Sequence, residues 1–177
     1  MTARTTLDLL QQQADSAGRY GPRGHSFQAG EPSLHFNKYV VTRFLGDIAI
    51  VDMVHFLVVG ARGEAVGGLL EFIQIIENPP SAMDPQDFFS NWLGAQFFRS
   101  QVPRFYNATS GALSDQLRAF FNAYAVGRIT FQSPTAGMPA VSAATRGRLL
   151  AHRSEAVSVQ QFIAFVVNVE HWLAARA

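Results

Sequence analysis

Hydrophobic positions along the chain are grouped in blocks, and two neighbouring apolar blocks lie at residues 48–59 and 69–76. Each block contains one pair of polar residues at i and i+3, a spacing that places both side chains on one face of a helix. The intervening residues 60–64, Gly-Ala-Arg-Gly-Glu, are typical of a helix end followed by a turn. The pattern therefore predicts an antiparallel helical hairpin.

The polar pairs in these blocks are Asp52 with His55 and Glu71 with Gln74. His55 and Glu71 are each eight residues from Gly63, and Asp52 and Gln74 are each eleven residues from it. Because residues equidistant from the turn face each other in such a hairpin, His55 is predicted to meet Glu71, and Asp52 to meet Gln74. Burial of an unpaired carboxylate costs several kcal/mol, so these side chains are expected to pair with one another or to serve a function.

The rest of the chain shows mainly helical periodicity. Further helices are predicted over residues 5–17, 84–100, 114–125, 145–153 and 158–175. Residues 128–131 are a candidate short strand, and residues 39–41 are either a strand or a lead into the helix that follows. Asp84-Pro85 and the capping-box pattern from Ser158 to Gln161 mark two of the helix starts. The predicted fold class is mainly α, with about six or seven helices; the alternative is α+β with a small element of two or three strands. Residues 1–177 are predicted to form a single compact domain, with the packing of the N-terminal helix and loop, residues 1–33, left open.

Composition narrows the classes of partner. Charged residues make up only 15% of the 177 residues, against about 25% in an average globular protein. This low charge indicates that some apolar surface meets a partner, and a homo-oligomer is one arrangement that would provide it. The net charge of +1 and the lack of a basic run argue against nucleic acid as the main partner. The absence of cysteine excludes disulfides, thiolate metal sites and cysteine nucleophiles.

The sequence also gives expectations about the cellular compartment of the protein and about membrane-spanning segments. Residues 1–13 lack the apolar core of a Sec signal peptide, so we expect a cytoplasmic protein or one exported by a leaderless route. The longest apolar run, residues 44–61, is interrupted by Asp47, Asp52 and His55. Since a lipid-spanning helix rarely tolerates three such residues, no membrane span is predicted.

The Asp52, His55, Glu71 and Gln74 cluster is the first candidate site. A glutamic acid in an apolar wall favours its neutral form and can donate a proton near neutrality, which makes Glu71 the candidate general acid. Asp52 would hold the second charge of a two-carboxylate site, with His55 assisting proton transfer and Gln74 binding substrate. The alternative interpretation is a structural network in which the four side chains satisfy one another and fix the hairpin register.

A second polar cluster lies on the otherwise aromatic helix that begins near residue 84. It comprises Asp87, Ser90 and Asn91, and Gly94 one turn later allows another backbone to approach closely. If this helix packs across the hairpin, Ser90 and Asn91 are expected to orient substrate. The alternative is an exposed polar face of an amphipathic helix.

No cofactor or metal is predicted. The Glu-x-x-His pattern of carboxylate-bridged bundles is absent, since His152 precedes Glu155 and Glu170 is adjacent to His171. The sequence also lacks a phosphate-binding loop, a dinucleotide-binding glycine motif, a Gly-x-Ser-x-Gly elbow and His-Glu-x-x-His. These absences disfavour nucleotide-dependent enzymes, α/β-hydrolases and zincins.

The function predicted from these residues is that of a small hydrolase, with Glu71 as general acid and Asp52 or His55 assisting. A mainly helical body with a buried catalytic glutamate resembles the general plan of lysozyme-type enzymes, which implies bacterial cell-wall polysaccharide (peptidoglycan) as substrate and glycosidic bonds as target. This resemblance is an analogy of architecture.

Two other functions remain open from sequence. The first is a protein-interaction module, such as an adaptor, an immunity-type inhibitor or an assembly subunit, which would bury the polar cluster and expose an apolar patch. The second is a helical bundle that binds a metal or ligand through His152 or His171 converging on His55 and Glu71. Access to the cluster discriminates between them, because an enzyme needs it at the foot of an open cleft.

Overall fold

The computed structural model describes residues 5–12, 36–44, 47–60, 85–106, 112–125, 150 and 152–177. Helix α1 covers residues 5–12. Strands β1 and β2 follow at Tyr39–Phe44 and Asp47–Asp52, and a short π-helical segment at His55–Val59. The remaining elements are α2 (Pro85–Tyr106), α3 (Leu113–Ala125), β3 (Val157–Ser158) and α4 (Val159–Ala174).

The three strands form a mixed sheet in the order β2-β1-β3. Strands β1 and β2 pair antiparallel, so that Tyr39 lies opposite Asp52 at one end of the hairpin. Strand β3 pairs parallel to β1 through Val40 and Val157. One further backbone hydrogen bond, from Met53 N–H to the Lys38 carbonyl oxygen at 2.7 Å, extends the β1–β2 pairing just past Asp52.

The prediction of a mainly α protein with six or seven helices is wrong. The described part of the chain has five helices, counting the π-helical segment, together with the three-stranded mixed sheet, and its class is α+β. Residues 47–52, predicted as the start of a helical hairpin arm, form β2 and pair with β1. Residues 49–52 are all buried, so this strand shows no alternation, and a continuous apolar run of this length does not distinguish a buried strand from a helix.

The helix termini were predicted better than the fold class. The starts at Pro85 and Val159 are confirmed, and α2 continues to Tyr106, beyond the predicted end near residue 100. The predicted helix over residues 145–153 is wrong at its end, because residues 152–155 form a turn in which His152 has φ 61°. The predicted second hairpin arm at residues 69–76 and the predicted strand at 128–131 lie outside the described residues.

A phenylalanine-rich core connects the sheet to the helices. Phe56 of the π-helical segment packs against Phe97 of α2 and Phe121 of α3, with ring centroids 5.4 and 5.7 Å apart. Phe36 packs edge-on against Phe162 of α4 at 6.1 Å. The π-helical segment is therefore held between α2 and α3, directly after Asp52. None of the helices in the described ranges is long and apolar enough to cross a membrane.

The capping box of α4 gives a first testable prediction. Ser158 Oγ accepts a hydrogen bond from Gln161 N–H at 3.1 Å, and Gln161 Oε1 accepts one from Ser158 N–H at 2.8 Å. Ser158→Ala is expected to cost about 1 kcal/mol of unfolding free energy. Thermal denaturation should show a fall in Tm of about 2–4 °C. Ser154→Ala, in the exposed turn before β3, is the control and should leave Tm unchanged; equal Tm values for the two variants would contradict the assignment.

Candidate functional site

Asp52 ends β2 and organises the start of the π-helical segment. Its Oδ1 accepts hydrogen bonds from the backbone N–H groups of Val54 at 2.8 Å and His55 at 3.4 Å, as a capping aspartate does at the start of a helix. Its Oδ2 lies 3.2 Å from Lys38 Nζ. With 3% of its surface exposed, Asp52 is buried as an ion pair, and both carboxylate oxygens have partners.

His55 is held at both nitrogens of its imidazole ring. Nδ1 lies 3.0 Å from Asn91 Oδ1, and Nε2 lies 3.5 Å from Asp87 Oδ1. An amide oxygen accepts only, so Nδ1 carries a proton in this pair, and Nε2 faces the carboxylate. The side chains of His55 and Asp87 are 14% and 18% exposed. The imidazole is thus fixed in orientation while this pair keeps some contact with solvent.

Helix α2 supplies most of the partners of this cluster. Ser90 Oγ accepts a hydrogen bond from Asp52 N–H at 2.9 Å and donates one to the Gln86 carbonyl oxygen at 2.7 Å. Gln86 in turn donates from Nε2 to the Ile50 carbonyl oxygen at 3.4 Å. Ser90 is fully buried, so its contacts tie α2 to the end of β2 and favour a structural role over the predicted substrate-binding role.

Two glycines allow the π-helical segment to approach α2 at backbone distance. A Cβ placed on Gly60 would lie 2.6 Å from Gly94 Cα, and one placed on Gly94 would overlap the Phe56 carbonyl oxygen. The sequence-based prediction that Gly94 admits another backbone is confirmed. This close contact brings the His55 side chain within reach of the α2 residues Asp87 and Asn91.

Lys38 and Tyr39 extend the cluster towards the turn before β3. Lys38 Nζ lies 5.2 Å from the centre of the Tyr39 ring. The His152 ring stacks on the same tyrosine, with ring centroids 4.2 Å apart. Burial lowers the pKa of Lys38, but attraction by Asp52 and Tyr39 outweighs burial, so the pKa of Lys38 lies above its ordinary value of 10.5. The pKa of Tyr39 is raised, chiefly by burial, with Lys38 opposing the shift.

Asp52, His55 and Asp87 are also the described residues that could hold a metal ion. One donor atom from each lies within 4.8 Å of the other two, and a mixed set of carboxylate and imidazole ligands suits a divalent cation. However, Asp52 Oδ2 already pairs with Lys38 and Oδ1 with two backbone N–H groups. A metal ion would have to compete with that ammonium group, so these contacts favour a metal-free site.

The structure brings together four of the six side chains that were predicted to be catalytic or to bind substrate. Asp52, His55, Ser90 and Asn91 lie in one hydrogen-bonded cluster, whereas Glu71 and Gln74 lie outside the described residues. The predicted helical hairpin, which was to bring Glu71 to His55, is wrong in its first arm because residues 47–52 form β2.

Two residues of the cluster, Asp87 and Lys38, were not among the predicted catalytic or binding residues. Asp87 shares a helix face with Ser90 and Asn91, so its helical spacing was a usable signal. Lys38 carries a different signal, because it is the single lysine among the fourteen basic residues of the chain.

His152 and Glu170, which the sequence offered as metal ligands, bind to partners outside the His55 cluster. His152 Nδ1 lies 3.1 Å from Glu155 Oε1 at an exposed turn. Glu170 accepts hydrogen bonds from Ser114 N–H at 3.1 Å and from Ser114 Oγ at 2.7 Å, which ties α4 to the start of α3. The predicted convergence of His152 or His171 on His55 finds no support among the described residues, since the group of donor atoms around His55 contains neither.

Comparisons with known proteins were made for the whole chain. No protein-family model, curated protein sequence or solved structure matches it.

Proposed function

We propose that this protein is a hydrolase in which His55 acts as the general base and accepts a proton from the attacking water molecule. The observation that carries the proposal is the imidazole held between the Asn91 amide oxygen at Nδ1 and the Asp87 carboxylate at Nε2. Histidine is the side chain most often used for general acid–base catalysis, because its charge changes near neutral pH. The Asn91 amide oxygen orients the ring through Nδ1–H, and the Asp87 carboxylate pairs with Nε2 once that atom has gained a proton.

In this proposal, Asn91 and Asp87 have different roles. Asn91 holds the proton on Nδ1, so that Nε2 is the atom that accepts a proton from an attacking water molecule. Asp87 then stabilises the imidazolium ion through its carboxylate. The side chains of His55 and Asp87 are partly exposed, which supports access of water to this pair, whereas a fully buried structural network would exclude it.

The substrate we propose is a cell-wall polysaccharide, with a glycosidic bond as the cleaved bond. Hydrolysis adds the oxygen of water to the anomeric carbon and returns a proton to the leaving oxygen. Glu71 remains the proposed donor of that proton, and Asp87 is the better candidate than Asp52 for the second carboxylate. Asp52 is committed to Lys38 and to two backbone N–H groups, which favours an anchoring role for it.

The interaction-module alternative has less support. It requires an exposed apolar patch, but Ile48, at 38% exposure, is the only large hydrophobic side chain classed as exposed in the described ranges. Such a module would also bury the polar cluster completely, whereas His55 and Asp87 keep contact with solvent. The partial exposure of these two side chains supports the enzyme.

The test compares two aspartates that each lie in the first turn of a helix. Asp87 contacts His55 from the first turn of α2, whereas Asp115 lies at the start of α3, exposed and paired with Arg118. Asp87→Asn should reduce the release of new reducing ends from purified cell-wall polysaccharide by about tenfold or more, because the imidazolium ion loses its carboxylate partner. Asp115→Asn should retain full activity. Equal rates for the two variants, or no activity in the wild type, would contradict the proposal.

A further inference from the structure

We propose that Lys38 is a positioning residue for His55, acting through Asp52. This inference rests on the proposed function only for its effect on rate, since the positioning itself is a property of the folded chain. The path runs from Lys38 Nζ to Asp52 Oδ2 at 3.2 Å, and from Asp52 Oδ1 to the backbone N–H groups of Val54 and His55.

The first step is the charge. Asp52 has 3% of its surface exposed, and burial of an unpaired carboxylate is costly, so this group needs a partner of opposite charge. Lys38 supplies that charge from a side chain that is 21% exposed. Because the pKa of Lys38 lies above its ordinary value of 10.5, the side chain is an ammonium ion at neutral pH and acts as a cation and not as a nucleophile.

The second step is geometry. The Lys38 backbone is fixed to the same segment, because its carbonyl oxygen accepts a hydrogen bond from Met53 N–H at 2.7 Å. The Tyr39 ring lies beside the ammonium group at 5.2 Å and limits where it can move. Lys38 therefore holds Asp52 Oδ2 in one place, which leaves Oδ1 directed at the start of the π-helical segment.

The third step concerns His55 itself. Its side chain reaches Asn91 and Asp87 from a backbone whose N–H group is held by Asp52. A misplacement of about 1 Å at a catalytic group can reduce a rate by about a hundredfold. Loss of the Lys38 charge would leave the Asp52 carboxylate without its ion-pair partner and able to turn towards solvent, and the start of the π-helical segment would lose its cap.

The composition of the chain also supports a specific role for Lys38. Thirteen of the fourteen lysine and arginine positions are arginine, and Lys38 is the single lysine. A lysine is a compact charge on a flexible stem, whereas arginine presents a planar fork with a different shape. Lysine thus fits a position between an aromatic ring and a single carboxylate oxygen.

The experiment measures amide hydrogen exchange and activity in Lys38→Met, Lys38→Arg and the wild type. In Lys38→Met, exchange at Val54 and His55 should become about tenfold faster or more, because their acceptor is no longer held. Exchange at Met53, whose N–H group donates to a backbone carbonyl, should stay the same. The same variant should lower kcat by about tenfold with little change in KM, since orientation and not substrate binding is lost. Lys38→Arg, which keeps the positive charge but not the shape of the ammonium group, should restore both properties only in part.

Arg118→Met is the matched control, because it removes an exposed cation 2.9 Å from Asp115 and should change neither property. Unchanged exchange at Val54 and His55 in Lys38→Met would overturn the positioning role even if activity fell. Faster exchange in Lys38→Met together with an inactive wild type would support the positioning role and overturn the proposed hydrolase function. The two ideas therefore fail separately.

Discussion

His55→Gln should reduce the rate of polysaccharide hydrolysis by about 10²–10⁴-fold, the usual contribution of a positioned general acid or base. Glutamine keeps a polar side chain of similar reach towards Asn91 and Asp87 but cannot exchange a proton near neutral pH. The loss should appear in kcat, because His55 acts in the chemical step. The measurement is the initial rate of reducing-end formation at saturating substrate.

His171→Gln is the control for that result. His171 lies exposed on the last turn of α4, outside the Asp52, His55 and Asp87 cluster, and its replacement should leave the rate unchanged. Both variants should fold, which near-identical circular dichroism spectra would show. A folded His55→Gln protein with wild-type activity would remove His55 from the mechanism.

Gly94→Ala should lower the free energy of unfolding by about 2–3 kcal/mol, although alanine normally stabilises a helix relative to glycine by about 1 kcal/mol. The new methyl group would overlap the Phe56 carbonyl oxygen and lie 2.9 Å from Phe56 Cα, and backbone atoms cannot rotate aside as a side chain can. Thermal denaturation should show a Tm about 5–10 °C lower than that of the wild type.

The control for Gly94→Ala is Ala119→Leu, which adds a larger group at an exposed position of α3. Surface substitutions of this kind usually change stability by less than about 0.5 kcal/mol. Since Gly94 also sets the distance between α2 and the π-helical segment, any Gly94→Ala protein that folds should be less active. A Tm equal to or above that of the wild type would show that the two backbones are not in contact.

Local signals in the sequence predicted the parts of the site that depend on local structure. Asp52 and His55 were predicted to share a helix face, but Asp52 ends β2 and contacts His55 through the His55 backbone N–H group. Helical periodicity placed Ser90, Asn91 and Gly94 on one side of α2. Cap signals placed the starts of α2 and α4 at Pro85 and Val159, because capping depends on a few adjacent residues.

Contacts of the site with residues from distant parts of the chain could not be predicted from local sequence signals. Residues 48–51 are apolar on both faces, so periodicity did not show that this segment pairs with β1 upstream and not with residues 69–76 downstream. That error led to a helical hairpin and to the expected contact between His55 and Glu71. Lys38 was missed for the same reason, since its position beside Asp52 follows from the strand register that sets Tyr39 opposite Asp52.

The most direct test of the hydrolase proposal is mass spectrometry of cell-wall polysaccharide after incubation with the wild-type protein in ¹⁸O-labelled water. Hydrolysis of a glycosidic bond joins the oxygen of water to the anomeric carbon, so we predict fragments that carry one ¹⁸O atom at each new reducing end. The His55→Gln protein should give almost none of these fragments in the same time. Unlabelled polysaccharide of unchanged length, recovered after long incubation with folded wild-type protein, would contradict the account.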